Sequence, residues 1–273
     1  MKIRFWGVRG SVPTPGNATA MVGGNTTCVE VRAGGKLLIF DMGTGARALG
    51  GSLLKSLPVQ ADVFLSHLHH DHTQGLPFFA PCFIPGNSLS FHGPDKGGES
   101  LKTHLERCFG YPYFPVPLKV MKAAFAYSAI EDGAKVELAP GLSVECRAVN
   151  HPDGAFGYRV EALEEGRTKV FTFCTDTEHY ATPDWKVLDL ARQADVFVYD
   201  AQYTAEEYPT RIGWGHSTPE EAIKLAREAQ AKRLVLFHHD PSHDDAFIAA
   251  MEAKAQAEFS ACQSAREGLE LEI

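Results

Sequence analysis

The stretch Val63-Phe64-Leu65-Ser66-His67-Leu68-His69-His70-Asp71-His72 constrains this chain more than any other. An apolar run that breaks into imidazoles and a carboxylate reads as a strand delivering its last side chains into a loop at a sheet edge. His67 and His69 are two residues apart, so extended backbone points them to one side. Asp71 and His72 fall on the turn into the next helix. Two imidazoles facing one way can hold one divalent cation, and the Asp71–His72 pair can hold a second. Imidazole nitrogen and carboxylate oxygen suit zinc, and also iron or manganese. A solvated loop with a helix cap would not need four histidines and an aspartate between positions 67 and 72.

Further ligands are expected at other strand ends. His151 follows the run Leu142–Val149, Asp176 follows Lys169–Cys174, and His238 and His239 follow Arg233–Phe237. Open α/β sheets place ligand-binding groups just past the carboxyl ends of their strands. Further strands are expected over Lys2–Val8, Cys28–Ala33, Lys36–Asp41, Asp62–Ser66, Phe156–Glu161, Val196–Tyr199 and Leu269–Ile273, all short, apolar and bounded by turn formers. Helices are expected over Gly45–Ser56, Gly98–Phe109, Pro183–Gln193, Pro219–Ala229 and Asp244–Gln263. Ser217 or Thr218 would cap the fourth, with Pro219 in its first turn and Glu220 and Glu221 near its positive end. The segment Tyr111–Lys119 has three prolines in nine residues, which forbids a helix. It is expected as an extended loop packed on the body or over a pocket. No stretch resembles an interdomain linker, so residues 1–273 are expected to form one domain.

Charge and cysteine usage narrow the function classes. Asp and Glu number 34 against 26 Lys and Arg, a net charge of −8. This excludes a broad basic nucleic-acid clamp, although a local metal charge still permits a small phosphate substrate. Six scattered cysteines without a C-x-x-C pair suit buried thiols in a reducing compartment. No apolar run reaches the ~18 residues of a membrane span, and Lys2, Arg4 and Arg9 interrupt any signal-peptide pattern. The expectation is a cytoplasmic protein with no membrane association.

With these residues in hand, the chain resembles the metallo-β-lactamase superfamily, whose H-x-H-x-D-H signature is carried by His67, His69, Asp71 and His72. The likeness runs from the Asp41-Met42-Gly43-Thr44-Gly45 turn to His238. It is closest to the tRNase Z and phosphodiesterase branch, through Gly215-His216-Ser217-Thr218 opening a helix and Leu234–His238 beyond it. The Gly7-Val8-Arg9-Gly10-Ser11 opening is similar to stand-alone bacterial members of that branch. The resemblance implies an α/β fold, a four-layer αβ/βα sandwich, with a two-metal site along one sheet edge. By position, His67, His69 and His151 hold the first ion; Asp71, His72 and His238 hold the second; Asp176 bridges them. His238 fits better than His239, and His70 points outward. The cofactors implied are two divalent ions, zinc first, with manganese or iron as alternatives.

The activity implied is phosphodiester hydrolysis by a metal-bridging hydroxide. Asp71 would orient the attacking water or take its proton. His216 would donate to a phosphate oxygen or to the leaving group, with Asp200 holding its tautomer. Similar enzymes carry a Glu there, within an H-E-A-T run; Tyr199-Asp200-Ala201-Gln202 departs from it with a shorter acid. No protruding basic arm lies between Asp95 and Lys122, so a small nucleotide or cyclic nucleotide is expected rather than tRNA, with no stable nucleic-acid binding. Tyr111, Tyr113 and Phe114 are candidates to stack on a base, and Arg9, Arg47 and Arg211 are candidate phosphate contacts. The competing readings are a tRNase Z-like endoribonuclease, a lactonase or thioesterase, and a metal-dependent nucleotide-binding module. Dimers are common among similar proteins, so a homodimer is compatible.

Overall fold

A computed structural model describes residues 1–112 and 114–273. Its elements in chain order are β1 (Lys2–Gly7), β2 (Cys28–Ala33), β3 (Lys36–Phe40), α1 (Gly45–Leu53), β4 (Gln60–Phe64), α2 (His70–Thr73), β5 (Ser88–Gly93), α3 (Leu101–Cys108), β6 (Ala124–Ala129), β7 (Lys135–Ala139), β8 (Leu142–Val149), β9 (Ala155–Glu164), β10 (Arg167–Cys174), α4 (Trp185–Ala191), β11 (Val196–Asp200), α5 (Pro219–Glu228), β12 (Leu234–Phe237), α6 (Asp245–Glu258), β13 (Cys262–Ser264) and β14 (Glu270–Glu272). The strands form two sheets of seven, ordered β14-β1-β2-β3-β4-β5-β6 and β13-β12-β11-β10-β9-β8-β7.

Strand periodicity builds the layers. Leu38 and Phe40 of β3 point into the core between the sheets, while Leu37 and Ile39 point outward to α1. In β12, Val235 and Phe237 face the inter-sheet core, and Leu234 and Leu236 face α5. Both faces of these strands are buried, which is why they read as unbroken apolar runs. Phe40 is central: its ring lies 5.5 Å from Phe64 and 5.6 Å from Tyr158 and from Phe173. Burying a side chain of that size contributes roughly 1.5–3 kcal/mol. With α1 and α3 outside one sheet and α4, α5 and α6 outside the other, the architecture is the expected αβ/βα sandwich.

The differences from expectation have physical causes. Strands β5, β6, β7 and β13 escape a reading by apolar runs because Ser, Ala and charged residues alternate along them. The last helix stops at Glu258 rather than Gln263, because Cys262–Ser264 pairs parallel with β12. The proline-rich segment packs on the body: Leu118 is buried, and Phe114 sits edge-on to Phe78 at 5.8 Å and to Phe109 at 6.4 Å. Among the described residues, no helix is long and apolar enough to cross a membrane.

Candidate active site

The polar residues that follow the strands collect at one edge of the sandwich. β3 and β4 are parallel, as are β10, β11 and β12, so their carboxyl ends lie together. The Tyr158 hydroxyl crosses from the second sheet and donates to the Leu65 carbonyl at 2.6 Å, fixing the chain just before His67. Four groups of chelating atoms result, each within 4.8 Å of one another: His67, His69 and His151; Asp71, His72, Asp176 and His238; and two that include His216, one with His151 and Asp176 and one with Asp200 and His238. Asp176 lies between the first two. Its Oδ2 is 3.2 Å from His72 Nε2, 3.7 Å from His67 Nε2 and 4.0 Å from His151 Nε2, and its Oδ1 is 3.1 Å from His238 Nε2. Asp176 (φ 52°) and His238 (φ 63°) adopt left-handed backbone conformations that cost energy for non-glycine residues.

The imidazoles are held from behind. Asp41 Oδ2 is 2.8 Å from His72 Nδ1, Ser66 Oγ is 3.0 Å from His67 Nδ1, and the Gly215 carbonyl is 2.9 Å from His151 Nδ1. Gly215 sits at φ 85°, and a Cβ there would fall 2.2 Å from that same Nδ1, so only glycine lets the carbonyl approach. With their Nδ1 atoms engaged, His67 and His72 present buried Nε2 atoms that have no hydrogen-bond partner among the described residues. Such groups are rare unless an ion completes them. Burial tends to discharge His72, but Asp176, Asp71 and Asp41 outweigh it and push its pKa well up, a sign of a negative local field. Burial works against ionisation of Asp71 too, yet the neighbouring His72 pulls its pKa down. This donor set fits divalent cations: nitrogen and oxygen ligands from facing elements, with His67, His72, His151 and His238 each oriented by a second residue.

His216 stands beside the first two groups. Its Nδ1 lies 2.8 Å from Asp200 Oδ2. Burial lowers its pKa, but Asp200 overrides burial and raises it to about 8. Asp200 is fully buried and also accepts from the backbone N–H groups of Ser217 and Gln202 at 3.1 Å each. A cavity of about 380 Å³ opens onto the site, lined by Ser11, Leu68, His69, His70, Asp71, Asp176, His216 and His238.

A family model described as a β-lactamase superfamily domain matches residues 38–239. The chain belongs to the metallo-β-lactamase superfamily. As a member of it, the protein is a metallohydrolase. Ribonuclease Z of Acaryochloris marina is 25% identical, over 89% of this chain and 87% of the relative. Zinc-bound PqqB from Methylobacterium extorquens superposes with a TM-score of 0.73 at 17% identity, covering 100% of both chains. A diphosphatase from the PhnP family gives 0.71 at 19% identity, covering 100% of this chain and 97% of that one.

Within this superfamily member, several expected contacts fall elsewhere. Arg9 is a correction: it has no exposed surface, and its guanidinium donates to the carbonyls of Gly23 at 2.8 Å, Asp240 at 3.1 Å and His243 at 2.6 Å. It ties loops together and is not free to bind phosphate. Phe114 likewise packs on Phe78 and Phe109, outside the cavity lining. Tyr113 lies outside the described residues. Arg211 stacks over Trp214 at 4.8 Å. His70, expected to point away from the metal pair, is exposed, belongs to no chelating group and lies at the edge of the cavity. His239 turns away: its Nε2 lies 2.9 Å from the Ala265 carbonyl, and burial pushes its pKa down to about 3.

Four supporting residues were not foreseen: Asp41, Gln202, Glu178 and Ser11. Asp41 follows β3 as Asp176 follows β10, so the same strand-end rule applied once more would have flagged it. Glu178 accepts from the N–H groups of Gly213 at 2.8 Å and Gly215 at 2.9 Å, shaping the loop that carries His216. Nothing local in the sequence signals that role.

Proposed function

We propose that this metallohydrolase is a dinuclear phosphodiesterase acting on a small nucleotide or cyclic nucleotide phosphodiester. The observation that carries the reading is the His216–Asp200 pair, 2.8 Å apart, with His216 lining the same cavity as His69, Asp71, Asp176 and His238 of the chelating groups. His67, His69 and His151 would hold one cation, Asp71, His72 and His238 the other, and Asp176 both. Zinc is the first choice, with manganese or iron also compatible with nitrogen and oxygen donors. Two bound cations would acidify a water and offset the charge on a phosphate.

The chain's own residues supply the rest. The Asp71 carboxylate lines the cavity, where it can orient the attacking water and accept its proton. Asp200 holds His216 Nδ1, leaving Nε2 as the proton carrier. Held by the Asp200 carboxylate, His216 can carry a proton on Nε2 and donate it to a phosphate oxygen or to the departing alkoxide. A cavity of about 380 Å³ suits one small ligand, and a cytoplasmic location fits such a substrate.

A second reading rests on the relatives named ribonuclease Z. A screen of cyclic and linear nucleotides with metal-loaded protein and product analysis separates the two. Turnover of a small diester above that of a precursor tRNA is expected; the reverse order would replace the small-substrate reading by an endoribonuclease.

A further inference from the structure

We infer that Gln202 is the positioning residue of the second cation group, setting the tautomer of His238 directly and the place of Asp71 through Ser11. This rests on the two-cation reading above. Gln202 is buried just past β11, in the run that departs from H-E-A-T. Its Nε2 lies 3.3 Å from Asp240 Oδ2, 3.4 Å from Ser11 Oγ and 3.2 Å from the Tyr203 hydroxyl. A carboxylate only accepts, so the nitrogen end must face Asp240. The oxygen end is then fixed toward His238, with Oε1 2.9 Å from Nδ1. Oε1 also only accepts, so Nδ1 carries the proton. His238 therefore turns the lone pair of Nε2 toward Asp71 Oδ2 at 3.3 Å and Asp176 Oδ1 at 3.1 Å.

The Ser11 contact extends this hold. The Ser11 backbone N–H donates to Asp71 Oδ2 at 2.7 Å, from a residue in the left-handed region at φ 60°. Gln202 thus braces two of the four residues of the second group from one side chain. The first group is braced independently, His67 by Ser66 and His151 by the Gly215 carbonyl. Loss of Gln202 should weaken one cation step and spare the other.

The test is titration of metal-free protein with zinc in competition with a chromophoric chelator, for wild type, Gln202→Leu and Gln202→Glu. Wild type should bind in two steps. Gln202→Leu should weaken one of them by ~10–100-fold, the usual effect of removing such a partner, with the other unchanged. Gln202→Glu keeps an acceptor for Nδ1 but sets a second carboxylate against Asp240, so it should recover only part of the loss. Wild-type affinity at both steps in Gln202→Leu would overturn the inference, as would equal weakening of both steps that Gln202→Glu does not relieve. A wild type that binds fewer than two zinc ions would overturn the two-cation reading itself, before any substitution is made. Should Gln202→Leu fail to fold, long-range 1H–15N correlation on wild type reads the His238 tautomer. A proton on Nδ1 supports the assignment; a proton on Nε2 refutes it.

Discussion

Arg9 shows how much a single buried charge can decide. Its three carbonyl partners come from two separate loops, around Gly23 and around residues 240–243. Arg9→Leu should leave those carbonyls unsatisfied and cost about 2–4 kcal/mol of stability, read as a lower thermal midpoint, with KM little changed in the surviving fold. A raised KM at full stability would instead make Arg9 a substrate contact. At His216 the expectation is opposite in kind. His216→Ala and Asp200→Asn should lower kcat by ~10²–10⁴-fold while metal content, measured by elemental analysis, stays at the wild-type level. Equal metal loss would make His216 structural. Asp176→Ala should reduce occupancy in both groups, since its Oδ2 faces His67 and His151 of the first as well as His72 of the second; two full equivalents in that protein would defeat its sharing role.

Among the elements, the strand ends matter most, and the sequence made them legible to different degrees. β2 and β8 coincide with their expected spans, because β-branched runs bounded by turn formers leave little choice. The ligand-bearing loops were readable for the same reason: a polar side chain directly after an apolar run has few places to go. The braces behind them were not, since Gln202 and Glu178 act through contacts distant in sequence. Asp195 is a brace of this kind at the head of β11. It accepts from Val170 N–H at 2.9 Å and from Lys232 Nζ at 2.7 Å. Burial would raise its pKa, but Lys232 and the Val170 amide pull it below the usual carboxylate range. A lowered native pKa means that this stabilisation is complete above the unfolded value of about 3.9 and is lost as pH falls through the native one. The stability gap between wild type and Asp195→Asn should therefore be constant above about pH 5 and close below about pH 4. A gap that widens in acid would contradict the sign.

At the scale of the whole molecule, two sheets with buried faces bring residues from 67 to 238 onto one rim. The central strands were legible because each is apolar on both faces, whereas their layering was implied only by the resemblance that the H-x-H-x-D-H signature carries. The role of the proline-rich segment was not, because whether aromatics cover a pocket or the body depends on packing that sequence does not display. Fold alone does not choose among hydrolytic chemistries; the His216–Asp200 pair beside a shared carboxylate is what favours phosphodiesters. The direct test is nitrophenol release by zinc-loaded protein from bis(4-nitrophenyl) phosphate and from 4-nitrophenyl acetate, each before and after chelation. The account predicts faster cleavage of the phosphodiester, abolished by chelator and restored by metal. Faster cleavage of the acetate, or release that survives chelation, would contradict it.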